Sequence, residues 1–206
     1  MFHIFSALLL SIMENILILG SSLAKQVVQN IENSGQKINN ILFKGKLNLT
    51  FLESTLKQRN TKFITVVYLA GNDLMPTKLH KLNNRTHVCL DTYCEKDCSR
   101  VYSRLVEILS NYTDRVIFVE PPPRAPYVVV SSNCSFYDNN TGQRFRNVIN
   151  SLKSEIKSDI NVGVFSNITL SGFLKKSNSR ICAFDNTHFS KEALNVIHSQ
   201  VIAKYL

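Results

Sequence analysis

Short apolar runs alternate with longer amphipathic stretches along most of this chain. The apolar runs are bounded by turn residues, as in strands that are buried on both faces of a parallel sheet. They predict strands at 15–19, 38–43, 63–69, 116–119 and 161–165. The amphipathic stretches predict helices at 22–31, 49–57, 99–111, 141–156 and 190–205. This alternation predicts an α/β fold, in which helices on both sides of a central, mainly parallel five-stranded sheet form a three-layer α/β/α sandwich.

Two segments interrupt this alternation, one of them polar, and both are predicted to be long loops. Residues 77–98 carry three cysteines, and residues 120–140 begin with a run of three prolines at 121–123. Both follow predicted strands. In doubly wound folds, binding and catalytic sites gather at the carboxyl ends of the strands. The two segments are therefore expected at the rim of such a site.

Length and charge constrain the domain organisation and the partners. The 206 residues fit one domain with a full core. We expect an apolar N-terminal segment at 1–13, interpreted as a signal peptide core or an upstream extension, and one domain at 14–206. The net charge of +9 points to nucleic acid or an anionic membrane as a partner. The alternative is that the scattered basic residues only support solubility. The oligomeric state stays open.

The compartment stays open between two readings, with a cytoplasmic protein favoured. Six glycosylation sequons and an apolar N-terminus would suit a secreted protein. However, no basic residue precedes the apolar stretch, and no small-x-small cleavage pattern follows it. The five cysteines are an odd number, and their spacing matches no common zinc pattern. The sequence therefore predicts neither a metal nor a cofactor.

Three polar clusters carry candidate chemistry, and each has a purely structural alternative. Ser22 follows the first strand at a helix start, where exposed N–H groups favour developing negative charge, although Ser21 or Ser22 could simply be an N-cap. Asn72 follows the third strand and could donate a hydrogen bond to an oxyanion, or form an Asx turn. Asp185 and His188 form a D-x-x-H, in which the carboxylate could orient the imidazole as a base. The alternative is a surface loop before the last helix, for which Ser190 is a predicted N-cap.

In their order and context these clusters resemble the SGNH or GDSL hydrolase superfamily. That family's Gly-Asp-Ser-Leu block is matched at 20–23 except for Ser21, and its Gly-x-Asn-Asp block is matched at 70–73 except for its first glycine. The Asp-x-x-His block is intact. The resemblance implies a flavodoxin-like fold, Ser22 as nucleophile with His188 and Asp185 as its triad partners, and an oxyanion hole made by Ser22, Gly45 and Asn72. Ser21 in place of the family's aspartate removes a contact that steadies the nucleophile loop.

The resemblance makes a serine esterase the first functional hypothesis. The expected substrate is a small carboxylic ester, with a short acyl or acetyl group on a lipid or a sugar. One alternative is a catalytically weakened module that uses the same fold to bind nucleic acid or anionic membrane. Another is a secreted glycan O-acetylesterase or acyltransferase. A narrower resemblance is to the esterase domains in the first open reading frame of some non-LTR retrotransposons. It is carried by Glu120 with its following prolines and by the helix around Asn147.

Overall fold

The computed structural model describes residues 16–74, 77–82, 85–90, 95–123, 127–131, 134–138, 141–156, 159–175, 179–183 and 188–203. Five strands in these ranges form one parallel sheet in the order β2-β1-β3-β6-β9. They are β1 (Ile16–Gly20), β2 (Asn39–Leu42), β3 (Thr65–Leu69), β6 (Arg115–Val119) and β9 (Asn161–Phe165). The predicted parallel five-stranded sheet is therefore confirmed, with strand bounds that differ by at most two residues from the predicted ones.

Helices cover both faces of this sheet and complete the predicted three layers. They are α1 (Ser22–Glu32), α2 (Leu49–Arg59), α3 (Glu95–Ser110), α4 (Thr141–Glu155), α5 (Asn167–Leu174) and α6 (Lys191–Ile197), which continues as a π-helical turn at His198–Ile202. The short helix α5 was not predicted. None of the helices in the described ranges is both long and apolar enough to span a lipid bilayer.

The core has two halves because neighbouring residues on a strand point to opposite faces of the sheet. On β1, Ile16 and Ile18 pack with α1, α5 and α6, whereas Leu17 and Leu19 pack with the layer of α2, α3 and α4. All four side chains are almost fully buried. Full burial of such a side chain contributes about 1.5–3 kcal/mol. The uninterrupted apolar run of the strand is thus explained by burial on both faces.

The prediction that 77–98 and 120–140 are long loops is wrong. Strands β4 (Thr77–Leu82) and β5 (Arg85–Leu90) pair as one antiparallel hairpin, and β7 (Tyr127–Ser131) and β8 (Cys134–Asp138) pair as another. Backbone hydrogen bonds within a hairpin satisfy polar groups that a loop would leave to solvent. The hairpins follow β3 and β6, so both leave from the carboxyl edge of the sheet, and β5 contacts β7.

Candidate active site

Ser22 lies at the carboxyl edge of the sheet, directly where β1 passes into α1. Ser21 is the N-cap of α1, and its carbonyl oxygen accepts a hydrogen bond from the Lys25 N–H at 3.0 Å. Ser22 is the first helical residue and is exposed, whereas Leu23 beside it is buried. The Ser21 side chain makes no capping hydrogen bond. The first turn of α1 therefore presents Ser22 to solvent at the positive end of the helix dipole.

Gly20 makes the sharp turn before Ser22 sterically feasible. Its φ is +145°, a backbone conformation that L side chains rarely adopt. A Cβ atom at this position would lie 2.7 Å from the Leu69 carbonyl oxygen and 2.9 Å from the Ala24 Cβ. The Gly20 carbonyl also accepts a hydrogen bond from the Phe43 N–H at 2.8 Å. The end of β1 is thus fixed against both neighbouring strands.

The two residues predicted to share the oxyanion hole with Ser22 lie on loops that flank it. Gly20 is in register with Leu42 on one side and Leu69 on the other. Gly45 lies three residues after Leu42, and Asn72 lies three residues after Leu69. Their loops therefore leave the sheet beside Ser22. Strand order reverses at β1, and such a switch point opens the crevice where α/β proteins bind ligands.

Of the two oxyanion candidates, the structure describes Gly45 more fully. Gly45 is exposed with a φ of +95°, and a Cβ atom there would meet nothing within 4 Å. The backbone of Asn72 begins the 3-10 turn Asn72–Leu74, but its side chain lies outside the described part of the structure. Its role as an oxyanion donor, like that of Gly45, therefore stays a prediction.

A buried polar cluster fixes the turn that carries Asn72. The Asp73 carboxylate accepts a hydrogen bond from the Tyr102 hydroxyl of α3, and the Tyr68 hydroxyl of β3 also hydrogen-bonds to it. Asp73 as a residue is partly exposed, but its carboxylate is enclosed, and this burial raises the pKa of Asp73 above its ordinary value. The turn is also closed by the Leu74 N–H, which donates to the Gly71 carbonyl at 3.1 Å. Sequence reasoning missed this cluster, whose only signal was Tyr68, a polar-tipped residue inside a buried strand.

The backbone of His188 is held by a short antiparallel contact. Its carbonyl oxygen accepts from the Ala183 N–H at 2.9 Å, and the Ser190 N–H donates to the Ile181 carbonyl at 2.8 Å. Ser190 is the N-cap of α6, as predicted, since its hydroxyl accepts from the Ala193 N–H at 3.1 Å. Residues 184–187, which include Asp185, lie outside the described residues. The pairing of Asp185 with His188 therefore stays a prediction.

Gln26 connects the His188 segment to the helix that begins with Ser22. Its side-chain Oε1 accepts a hydrogen bond from the Phe189 N–H at 3.1 Å, and its Nε2 donates to the Phe189 carbonyl at 3.4 Å. Gln26 follows Ser22 by one helical turn, so the two residues lie on the same face of α1. The structure thus brings the backbone next to His188 onto α1, the helix that begins with Ser22. Because the two partners are 163 residues apart in sequence, no local pattern indicated this contact.

A buried carboxylate stabilises the carboxyl edge further along the sheet. Glu120 follows β6 and is only 2% exposed. Its Oε1 lies 2.8 Å from Nη1 of Arg146, and its Oε2 accepts from the Asn167 N–H at 2.8 Å, at the start of α5. A Cβ atom on Gly142 would lie 3.0 Å from Glu120 Oε1, so glycine there leaves room for the ion pair. This cluster ties α4 and α5 to the end of β6.

The segment before Asp185 also contacts the loop that follows β6. The Cys182 thiol donates to the Pro123 carbonyl at 2.7 Å. A pocket beside it is lined by Cys182, Arg180, Lys191 and Glu192 among other residues, so its charged lining holds two cations and one anion. Among the side chains that the structure describes, no group of three or more His, Cys, Asp or Glu residues could hold a metal ion.

Comparisons with known proteins reveal the fold relationship through structure rather than sequence. The sequence matches no protein-family model and no curated protein. A GDSL-like lipase from Bacteroides thetaiotaomicron is similar in structure, with a TM-score of 0.58 and 11% identity over 98% of this chain and 96% of the lipase chain. A "putative platelet activating factor from Streptococcus pneumonia" is similar with a TM-score of 0.59 and 12% identity over 100% and 98% of the two chains.

These similarities agree with the parallel five-stranded sheet and its flanking helices. They give no support to the narrower resemblance to retrotransposon esterase domains, and they do not test the basic surface as a site for nucleic acid or membrane. At these identities the similarity concerns the fold. The chain therefore has the fold of the SGNH/GDSL hydrolase superfamily.

Proposed function

We propose that this protein is a serine esterase that hydrolyses small carboxylic esters through Ser22, His188 and Asp185. One observation carries the proposal. The exposed Ser22 starts α1 at the switch point of the sheet, and the residue after His188 is hydrogen-bonded to α1 one turn further on. A hydroxyl and an imidazole on adjoining backbone segments are the main parts of a nucleophile and base pair. The hydrolase fold supports the same conclusion.

In the proposed reaction the Ser22 hydroxyl attacks the ester carbonyl carbon. His188 takes the hydroxyl proton as the new C–O bond forms, and Asp185 stabilises the resulting imidazolium. The oxyanion is stabilised by the N–H groups of Ser22 and Gly45 and by the amide of Asn72. His188 returns the proton to the leaving alcohol. A water molecule, deprotonated by His188, then attacks the acyl-enzyme, and the acid is released as His188 returns that proton to the Ser22 oxygen.

The proposed substrate class is a short acyl or acetyl ester on a lipid or a sugar. This chemistry requires no metal and no organic cofactor, because a serine, a histidine and a set of N–H donors supply the nucleophile, the base and the oxyanion stabilisation. The structural neighbour described as a GDSL-like lipase supports an ester as the substrate.

The test is hydrolysis of a chromogenic acetyl ester by the wild type, by Ser22→Ala and by a control, Ser54→Ala. Ser54 is exposed on α2, and its hydroxyl only donates to the Phe51 carbonyl of the same helix, at 3.0 Å. We expect Ser22→Ala to abolish hydrolysis and Ser54→Ala to leave it unchanged. Full activity in Ser22→Ala would place the nucleophile elsewhere.

A second candidate function is a weakened module that binds nucleic acid or anionic membrane. Two observations favour it: the net charge of +9, and Ser21, whose side chain leaves α1 without a side-chain cap where the family has an aspartate. Binding of this kind weakens steeply as salt concentration rises. Salt-sensitive binding of RNA or anionic vesicles by a protein that hydrolyses no ester would favour this second function.

A further inference from the structure

We propose that Gln26 is a positioning residue that holds His188 at a fixed place relative to Ser22. The proposal rests on the proposed esterase function. Gln26 lies outside the sequence blocks at 20–23, 70–73 and 185–188, and its contact with Phe189 arises from the tertiary structure. Its side-chain amide hydrogen-bonds to both the N–H and the carbonyl of Phe189, as a residue of a neighbouring β-strand would. Gln26 itself is half-buried, so water competes only partly for these hydrogen bonds.

The contact completes a set of restraints around His188. The His188 carbonyl is held by the Ala183 N–H, and the Phe189 side chain is only 1% exposed in the core under α1 and α6. The 181–183 segment contacts Phe189 through an antiparallel β-bridge at Cys182. The hydrogen bonds of this bridge flank Phe189, at the His188 carbonyl and the Ser190 N–H, whereas Gln26 binds the backbone groups of Phe189 itself. Gln26 adds side-chain hydrogen bonds between this backbone and α1 to the packing of Phe189 in the core.

Removing these hydrogen bonds should impair chemistry more than substrate binding. Gln26→Leu keeps the volume of the side chain but leaves both Phe189 backbone groups without their partner. A displacement of about 1 Å in a catalytic group can lower the rate by about 10²-fold. We therefore expect kcat to fall about ten-fold or more while KM changes less than about two-fold. Loss of stability alone would lower the amount of folded enzyme, which circular dichroism at the assay temperature would detect.

Gln26→Glu gives a readout that a purely structural contact would not change. A protonated glutamic acid resembles the amide, since its carbonyl oxygen accepts from the Phe189 N–H and its O–H donates to the Phe189 carbonyl. An ionised carboxylate instead repels that carbonyl. The ratio of variant kcat to wild-type kcat should therefore rise, by about five-fold or more, as pH falls from about 8 towards the ordinary glutamate pKa of about 4.3.

Dividing the variant kcat by the wild-type kcat at each pH cancels the effect of groups that titrate in the same way in both proteins. Charged or titratable groups on the described segments around this contact include Lys25 on α1, Arg180 on the 179–183 segment, and His188, Lys191 and Glu192 on the C-terminal segment, and all are present in wild type and variant. A new carboxylate near His188 would also raise the pKa of that imidazole. That effect would lower the ratio as pH falls, so a rising ratio cannot come from it.

The matched control is Gln29→Glu, which adds the same charge to an exposed position of the same helix. We expect its kcat ratio to the wild type to stay close to one at every pH. The proposal is overturned if the wild type is active and both Gln26 variants match it, or if Gln26→Glu shows the same pH-independent ratio as Gln29→Glu. An inactive wild type would overturn the proposed function and this inference together.

Discussion

Replacement of Gly20 by alanine should both destabilise the fold and disturb the position of Ser22. Two effects add at this residue. Its φ of +145° is strained for any residue with a Cβ atom, at a cost of about 1–3 kcal/mol. The new methyl group would also lie 2.7 Å from the Leu69 carbonyl oxygen and 2.9 Å from the Ala24 Cβ. Neither neighbour can move easily, because one is backbone of a buried strand and the other belongs to the first turns of α1.

Overpacking of this kind costs about 1–3 kcal/mol, so the two effects sum to about 4 kcal/mol. For a domain of this size each kcal/mol lowers the melting temperature by about 2–4 °C, which predicts a decrease of about 8–16 °C. A domain with an unfolding free energy of about 5–15 kcal/mol would generally remain folded at room temperature. The kinetic effect should be visible as slower ester hydrolysis, since relief of the clash would shift the β1–α1 turn.

The matched control is Gly35→Ala, because Gly35 also has a positive φ, +83°, but a Cβ atom there would meet nothing within 4 Å. It should lose only the strain energy of about 1–2 kcal/mol. Urea unfolding followed by circular dichroism suits a chain without tryptophan. If Gly20→Ala loses no more stability than Gly35→Ala, the close approach of β1 to β3 does not contribute, and the reasoning is refuted.

Three further variants test other parts of the account. Asn72→Ala should lower kcat by about 10²–10³-fold if its amide stabilises the oxyanion; a change under about three-fold would exclude that role. Burial raises the pKa of Asp73, so the folded state binds its proton more readily than the unfolded chain, and stability decreases as pH rises from about 4 through that pKa. Asp73→Asn should therefore gain stability relative to wild type between pH 4 and pH 7 in urea unfolding, whereas a pH-independent difference would contradict this. Arg146→Met leaves the buried Glu120 with one fewer donor and should cost about 2 kcal/mol, less than for a fully buried pair because Arg146 is half-exposed. An equal loss in the exposed control Lys57→Met would refute this reasoning.

The central sheet and most helices could be predicted because the pattern that defines them is local. Apolar runs such as Thr65–Leu69 are buried on both faces, and this burial is visible in the sequence. Tyr127–Ser131 carries three consecutive valines, a strand signal that the loop prediction overlooked. Thr77–Leu82 is harder to recognise, because Leu79 and Leu82 are its only apolar residues. The length of that segment was a usable signal, since long structureless loops are uncommon in compact domains. Helix α5 lacks an apolar stripe with helical period, and only its N-cap Ser166 marks it.

The same distinction between local and distant sequence information applies to the candidate site. Ser22, Asn72 and the D-x-x-H each follow a strand or precede a helix, so local sequence was enough to propose them as candidates. Gln26 and the Asp73 cluster could not be predicted, because each depends on a partner that only the tertiary structure brings near. Phe189 is 163 residues from Gln26, and Tyr102 is 29 residues from Asp73. Hydrogen bonds between such distant positions leave no periodic pattern in a single sequence.

The most direct test of the central claim is labelling of the purified protein with a fluorophosphonate, followed by peptide mapping of the adduct. Only an activated serine reacts with such a probe at an appreciable rate. We expect a single adduct on Ser22, which Ser22→Ala abolishes and Ser54→Ala retains. A folded wild-type protein that forms no adduct, or forms it on another residue, would contradict the assignment of Ser22 as the nucleophile.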